Sequence, residues 1–415
     1  MNILVTRVLP ASQKGDLAIA LSQLSALRAR FPEAKISLLC RQPAGDGHHF
    51  LAADSVQPEL FPTETTESRF RRLLRLMRIL TGLGKDDDMA RFDRLCQAAD
   101  VLVFCGGGSL GGYGFGNLVL HALCPSLMAR RAGLPVCFSA ISVHDYKNPL
   151  HRVIHEAVLK KADCITVRDP QSLTVLEKLD VDGAIGLTAD WAWLLPAAET
   201  EEAEALLASE GVPQSGGLRI GINLRSILAI DPEKRTVGGD FAYTNAMARV
   251  ISELVTRTGA DVVVFSMNRP PASDDLAFAR QVYSEIEQSL RNKVHLLSGD
   301  YTPAQIKGMI GRLSLFIGTR LHPSLFALSS MVPVLTVHDQ PKVTAFMDFT
   351  GLSEWHMEAS GLDPTELVSK LIELRDKRAD IVEILKVKVP QLQAMAIENL
   401  DHIAKCTDRN KLSYQ

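Results

Sequence analysis

No stretch of this 415-residue chain approaches the about 18 uninterrupted apolar residues of a membrane-spanning helix, so none of it reads as a span. Nor is there an excess of one charge. Lys plus Arg number 45 against 48 Asp plus Glu, a formal net charge of −3, which argues against the basic footprint of a nucleic-acid-binding protein. Cysteines are few: Cys40, Cys96, Cys105, Cys124, Cys137, Cys164 and Cys406 form no CxxC or Cys/His spacing, so a metal centre is not expected. Several lie in apolar runs, such as Cys137 between Val136 and Phe138, and read as reduced core residues of a cytoplasmic protein. No basic region precedes Met1-Asn2-Ile3-Leu4-Val5-Thr6, which reads as a strand rather than a signal peptide. Internal repeats and low-complexity tracts are absent as well. The remaining composition, 46% hydrophobic and 22% charged, is that of a globular protein, and the length favours two domains.

Short β-rich runs alternate with helical patterns, which predicts parallel sheets with helical crossovers. Expected strands are Ile3–Thr6, Lys35–Cys40, Asp100–Phe104, Pro135–Ser139, Asp163–Val167 and Ala184–Leu187, then Leu218–Asn223, Asp261–Ser266, Lys293–Leu297, Ser314–Gly318 and Val332–Val337. Between the two sets lies a stretch with Pro196, Glu199, Glu201, Glu202, Glu204, Pro213 and Gly216-Gly217, which reads as a short acidic helix plus linker at the domain boundary. The expected organisation is α/β. An N-terminal Rossmann-like domain (1–195), an acidic linker (196–217) and a C-terminal Rossmann-like domain (218–362) face a cleft, and a helical tail (363–415) packs back on the first domain.

Chemistry is expected at the carboxyl ends of strands, where open α/β sheets bind ligands. The most informative segment is Phe316-Ile317-Gly318-Thr319-Arg320-Leu321-His322-Pro323. It predicts an apolar strand, a tight turn and a helix whose first position suits Pro323. A helix N-terminus welcomes an anion; Arg320 offers a planar charged fork and His322 a group that exchanges a proton near neutral pH. Arg225, after Gly221-Ile222-Asn223-Leu224, supplies a second arginine, and two arginines from different loops can clamp a small multiply charged ligand. His338-Asp339-Gln340-Pro341-Lys342 follows the next strand and could rim the same pocket.

In the first half, Gly15-Asp16 lies between the first strand and helix, where Asp16 either caps the helix or acts in catalysis. Gly106-Gly107-Gly108-Ser109-Leu110, followed by Gly111-Gly112-Tyr113-Gly114, could wrap a ligand with backbone donors or simply be a mobile loop. It is neither GxGxxG at a first strand nor a Walker A sequence. Arg168 and Asp169 read as a structural pair and helix cap. Asp190 could orient an acceptor hydroxyl or make a structural hydrogen bond.

Taken in order, Gly15-Asp16-Leu17-Ala18-Ile19, Gly106-Gly107-Gly108-Ser109-Leu110, Val167-Arg168-Asp169 with Ser172, Asp190 with Ala192, Asn223-Leu224-Arg225 and Gly318-Thr319-Arg320-Leu321-His322, with Pro333 and Lys342, resemble the polysaccharide pyruvyl transferase family. The resemblance runs from Gly15 to about Phe346. It implies a glycosyltransferase-B-like fold and transfer of pyruvate from phosphoenolpyruvate to a sugar or lipid-linked glycan. The product is a cyclic ketal, and no cofactor is needed beyond the co-substrate. It also implies that Arg225 and Arg320, with Asn223 and Thr319, hold the donor. His322 is then the acid/base or a phosphate ligand, and Asp16 and Asp190 are further catalytic candidates. The acceptor side would draw on Gly106, Gly107, Gly108, Ser109, Arg168, His144 and Lys342. The chain departs from the family pattern at Ser139-Ala140-Ile141-Ser142-Val143-His144-Asp145, where a glycine-rich turn is usual, and after Leu110. Two other functions fit the same architecture: a nucleotide-sugar-dependent glycosyltransferase and a catalytically silent glycan-binding relative.

Arg69, Arg71, Arg72, Arg75 and Arg78 interleave with Phe70, Leu73, Leu74, Met77 and Leu80 at helical spacing, a basic amphipathic helix. It suits an anionic membrane surface on the inner face of the membrane, where a lipid-linked glycan would be reached. It suits better a helix packed on its own sheet with solvated arginines. The flanking Asp86-Asp87-Asp88 weighs against lipid.

Overall fold

The computed structural model describes residues 1–61, 69–108, 119–143, 149–179, 181, 183–214, 216–226, 239–270, 273–338 and 340–412. Two compact units divide the chain: Met1–Ala11, Asp16–Leu194 and Leu392–Gln415 form the first, and Ser12–Gly15 and Leu195–Gln391 the second.

The first unit is built on β1 (Asn2–Val8), β2 (Lys35–Cys40), β3 (Ser55–Pro58), β4 (Val101–Phe104), β5 (Val136–Ile141), β6 (Cys164–Val167) and β7 (Ala184–Leu187). Their spatial order is β3-β2-β1-β4-β5-β6-β7, and the pairings are parallel, with Leu4 opposite both Ser37 and Leu102. β4, β5 and β6 are buried along their whole length, as expected of strands covered on both faces, and this is why they read as unbroken apolar runs. The second unit contains β8 (Arg219–Asn223), β9 (Asp261–Phe265), β10 (Val294–Leu296), β11 (Leu315–Gly318), β12 (Val334–Val337) and β13 (His356–Met357), in parallel order β10-β9-β8-β11-β12-β13.

Strand order reverses between β1 and β4 in one sheet and between β8 and β11 in the other. At such a reversal the connections leave on opposite sides and open a crevice at the strand carboxyl ends. Two β-bulges lie near the first reversal. The β1–β2 register shifts between Val5 and Val8, with Arg7 at φ 66°, and the β5–β6 register shifts between Phe138 and Ile141, with Ala140 at φ 51°. A non-glycine residue in that region costs on the order of 1–3 kcal/mol.

Several expectations need correction. β3 and β13 add to the expected strands; Ser55–Pro58 is a half-buried edge strand with no apolar run to announce it. The helix Asp87–Ala98 is a further addition, and Asp86 is its N-cap, accepting a hydrogen bond from Met89 N at 2.9 Å. The acidic stretch carries the expected short helix. Its helix, Thr200–Ser209, folds into the second unit, where Glu204 meets Arg219 at 3.0 Å and Arg312 at 2.9 Å, and Glu202 accepts from Gln305. The tail is not one body. The helix Pro364–Asp376 belongs to the second unit, and residues of Arg378–Leu412 from Leu392 onward belong to the first. There Asn399 donates to Ala189 O at 3.2 Å and accepts from Thr188 Oγ at 2.9 Å, which ties the tail to the first unit as expected. The helix Arg69–Thr81 packs Leu76 and Ile79 against the core, but it also buries Arg75 and leaves Phe70, Leu73, Leu74, Met77 and Leu80 exposed, so its arginine face is not simply solvated. All seven cysteines are buried.

Candidate functional site

Gly15-Asp16, Gly106-Gly107-Gly108, Asn223-Leu224-Arg225 and Gly318-Thr319-Arg320-Leu321-His322 fall at the strand-order reversals, whereas Val167-Arg168-Asp169 follows β6. Gly106-Gly107-Gly108 follows β4, and Asp16 lies beyond β1 in the helix Lys14–Arg30. Asn223 closes β8 with Arg225 just beyond it, and Thr319-Arg320-Leu321-His322 follows β11. Register places Ile317 opposite Ile222, so the ends of β8 and β11 are adjacent.

In the second unit Arg320 is the N-cap of the helix Leu321–Ser329, in extended conformation. Its side chain is committed: Nε donates to Asp275 Oδ2 at 3.0 Å and Nη2 to Asp275 Oδ1 at 2.6 Å. Asp275 is 2% exposed, so this fork-to-carboxylate pair is nearly dry on its acidic side. Asp275 Oδ2 also accepts from Met267 N at 3.2 Å and Asn268 N at 2.9 Å. That turn in turn receives residues 12–15. Gln13 bridges Asn268 in antiparallel sense, Lys14 N donates to Met267 O at 2.9 Å, and Lys14 Nζ meets Asp300 at 2.7 Å.

Gly15 thereby lies against the ring of His322; a Cβ built on it would be 2.7 Å from His322 Cγ. The close approach requires the missing side chain. Gly15, His322, Arg320 and Asp275 are thus one assembly. The Gly15 motif folds with the second unit, whereas Asp16, the next residue, belongs to the first. Gly318 is required as well, because Ser324 occupies the space a Cβ would need.

Asn223 and Thr319, expected to touch the donor, are occupied with each other. Asn223 Nδ2 donates to Thr319 Oγ1 at 3.0 Å, Thr319 N donates to Asn223 Oδ1 at 2.9 Å, and Thr319 Oγ1 donates to Asn223 O at 2.9 Å. They lock the ends of β8 and β11 together and so position Arg225 and Arg320 a residue or two further along each strand. Arg225 is buried there. Lys342 lies in the first turn of the helix Pro341–Thr350, which follows β12. His338 accepts a hydrogen bond at Nδ1 from Gln340 N at 2.7 Å, so its neutral ring carries the proton on Nε2. A second buried cation, Lys307, donates to Leu195 O at 2.6 Å, and burial lowers its pKa to about 8.

The first-unit candidates also come together. A Cβ on Gly106 would be 2.9 Å from Ser139 O, and one on Gly107 3.4 Å from Asp16 Oδ1; one on Gly108 would be 3.7 Å from Arg168 Nη2. Gly107 extends the sheet past β4, donating to Ala140 O at 3.1 Å and accepting from Ser142 N at 3.0 Å. Arg168 is ion-paired with Asp190, both buried, and its Nε donates to Ser142 Oγ at 2.7 Å. Asp190 Oδ1 accepts from Ala192 N at 2.8 Å. Its structural bonds are therefore plain, and Arg168 pairs with Asp190 rather than with its neighbour. Asp169 is the N-cap of the helix Pro170–Glu177, accepting from Ser172 N at 2.7 Å. Asp16 is not a cap, because the helix begins at Lys14 and places it in the first turn, where it complements the dipole. Burial, then the carboxylates of Asp16 and Asp190, push the Cys105 thiol far up, so this thiol stays protonated. Ser109, His144, Asp145 and Asp339 lie outside the described residues.

Sequence reading missed a buried polar cluster beside this loop. Glu59 Oε2 is 3.0 Å from His121 Nδ1 and 3.6 Å from Arg41 Nε. Burial lowers the His121 pKa, the Glu59 carboxylate opposes that, and Arg41 and Arg7 reinforce it. Only strand order brings these four residues together. The partner of Arg320 was missed too, although Ser273-Asp274-Asp275 at a helix start was legible. Among the described residues no group of three or more His, Cys, Asp or Glu could hold a metal ion.

Two parallel-sheet α/β units, each with a strand-order reversal, have a glycosyltransferase-B-like fold. UDP-GlcNAc 2-epimerase from Neisseria meningitidis superposes with a TM-score of 0.62 at 11% identity, covering 98% of this chain and 100% of that one. A glycosyltransferase from Rickettsia africae gives 0.61 at 9% identity, covering 98% of each chain. These likenesses concern the fold alone. The chain belongs to the polysaccharide pyruvyl transferase family, whose model matches residues 14–337. It is also 23% identical over 409 residues to the amylovoran biosynthesis protein AmsJ of Erwinia amylovora, covering 94% of this chain and 96% of that protein.

Proposed function

We propose that this chain transfers the pyruvyl group of phosphoenolpyruvate to two hydroxyls of a sugar in a glycan or glycolipid precursor, releasing phosphate and leaving a pyruvate ketal. The observation that carries the reading is the assembly at the β8/β11 reversal, Arg320 oriented by Asp275 and His322 seated on Gly15, within the span matched by the family.

The donor carries a carboxylate and a phosphate. Arg320 keeps Nη1 outside its contacts with Asp275, and the N–H groups at the start of Leu321–Ser329 add donors for one anionic group. Arg225, at the end of the adjacent strand, serves the other. A proton delivered to the methylene carbon converts the double bond to a methyl group and makes C2 electrophilic. The first sugar oxygen bonds to C2 and its proton leaves. The C2–O bond to phosphate breaks, phosphate departs with that electron pair, and the second hydroxyl closes the ketal with loss of its proton. His322 is the proton donor in this scheme, and its seat on Gly15 fixes the ring for transfer.

Thermal unfolding with added ligand tests the donor. Phosphoenolpyruvate at a hundredfold over its Kd should stabilise the folded chain by about 2.7 kcal/mol. Arg320→Lys, which retains a charge for Asp275 but loses the fork, should weaken this stabilisation at least tenfold in Kd. Stabilisation by a nucleotide-sugar and none by phosphoenolpyruvate would sink the proposal.

A further inference from the structure

The helix Arg69–Thr81 is turned the wrong way for a soluble surface. Its apolar residues Phe70, Leu73, Leu74, Met77 and Leu80, followed by Leu83, are exposed, from 39% at Leu74 to 74% at Leu83. Its buried side holds Leu76 and Ile79, which join the core, and a charge, Arg75. The Arg75 guanidinium donates to Asp86 and Asp88, each at 2.7 Å, and to Leu60 O at 2.9 Å, and it lies over the Phe61 ring at 5.4 Å. Burial alone would raise the Asp86 carboxyl, but hydrogen bonds from Arg75 and Met89 N outweigh it and hold it below its usual value. The acidic run that weighs against an anionic surface is therefore partly spent on Arg75.

The exposed stripe is held as a rigid element. Arg131 donates to Ile79 O and Leu80 O at the carboxyl end of the helix. Gly82, at φ 76°, then stops it, donating to Arg78 O at 2.8 Å. At about 100° per residue the five apolar residues of the helix span one continuous face, and Arg71 and Arg78, seven residues apart, edge it on the same side. Arg71 is exposed and Arg78 half-buried. Thirteen residues make a helix about 20 Å long, far short of a span.

We infer that this face lies in the interface of an anionic phospholipid bilayer, with Phe70, Leu73, Met77, Leu80 and Leu83 among the acyl chains and Arg71 and Arg78 at the headgroups. An apolar stripe edged by cations is complementary to that surface. A second copy packed antiparallel on this face would instead bring like charges together, Arg71 against Arg78. The inference goes beyond the pyruvyl reading and stands without it.

Co-sedimentation of the full chain with vesicles tests it. Binding is expected to vesicles of equal parts phosphatidylglycerol and phosphatidylcholine, to weaken with salt, and to be at least tenfold weaker on phosphatidylcholine alone. Leu73→Glu with Met77→Glu should cut partitioning at least tenfold while leaving the unfolding temperature unchanged, both positions being exposed. Arg71→Gln should cost roughly fivefold on anionic vesicles. Wild-type protein remaining in the supernatant at every lipid concentration, or a double variant that binds as well as wild type, would overturn the inference. So would light scattering that shows a dimer dissolved by the same two substitutions, which would assign the face to a second copy.

Discussion

Gly15→Ala isolates the contact that joins the first loop to the candidate proton donor. The backbone φ of Gly15 is not in the left-handed region, so alanine is not strained there. In the first turn of the helix Lys14–Arg30 it should gain about 0.5–1 kcal/mol over glycine. Against this, the new Cβ would lie 2.7 Å from His322 Cγ, where carbon atoms rest at about 3.5–4.0 Å, so the ring must retreat by about 1 Å. The loop cannot easily yield instead, because Lys14 is tied to Met267 O and Asp300. Overpacking of this kind costs roughly 1–3 kcal/mol, which leaves a net loss of up to about 2.5 kcal/mol, centred near 1 kcal/mol. His322→Ala removes the ring and leaves only the approach to its Cβ at 3.0 Å, which a shift of a few tenths of an ångström relieves. Gly15→Ala should then be neutral to slightly stabilising, and the double-mutant cycle should show a coupling of about 1–3 kcal/mol in urea unfolding, the cost of the contact itself. Displacing the ring by about 1 Å should also lower kcat/KM for pyruvyl transfer roughly hundredfold. Equal cost in both backgrounds would refute the contact.

Asp275→Asn leaves Arg320 facing a neutral amide at a buried position, and should cost about 3 kcal/mol of stability, measured by denaturant unfolding. The same substitution should weaken phosphoenolpyruvate binding less than Arg320→Lys does, because it frees the fork but spoils its aim; the two Kd values check the order. Lys307 carries a pH signature. Burial lowers its pKa from 10.5 to about 8, so between those values the unfolded chain holds more protons and stability rises with pH. Relative to Lys307→Met, wild type should therefore gain stability as pH climbs through about 8 and level off above about 10.5. A pH-independent difference in unfolding free energy would show that the amine is hydrated.

The strands were legible in the sequence because a strand covered on both faces must be apolar throughout. Val101–Phe104 and Leu315–Gly318 announce themselves in this way, and the residues after them had to lie at strand carboxyl ends. Ser55–Pro58 and His356–Met357, short edge strands with little to bury, left no such trace. Local pattern likewise revealed an amphipathic helix at Arg69–Thr81 but not which face meets protein. That depended on Asp86, Asp88 and the Leu60 carbonyl, which can hold Arg75 out of water only once folding gathers them. The site divides along the same line. The residue types Arg225, Arg320 and His322, and their place at strand ends, could be read from the chain alone, since turn chemistry and helix starts are short-range. Tertiary structure alone decided that Gly15 seats His322, that Asp275 aims Arg320, and that Asn223 and Thr319 bind each other. Those contacts join residues far apart along the chain, and only the order of strands in the sheets brings such residues within reach.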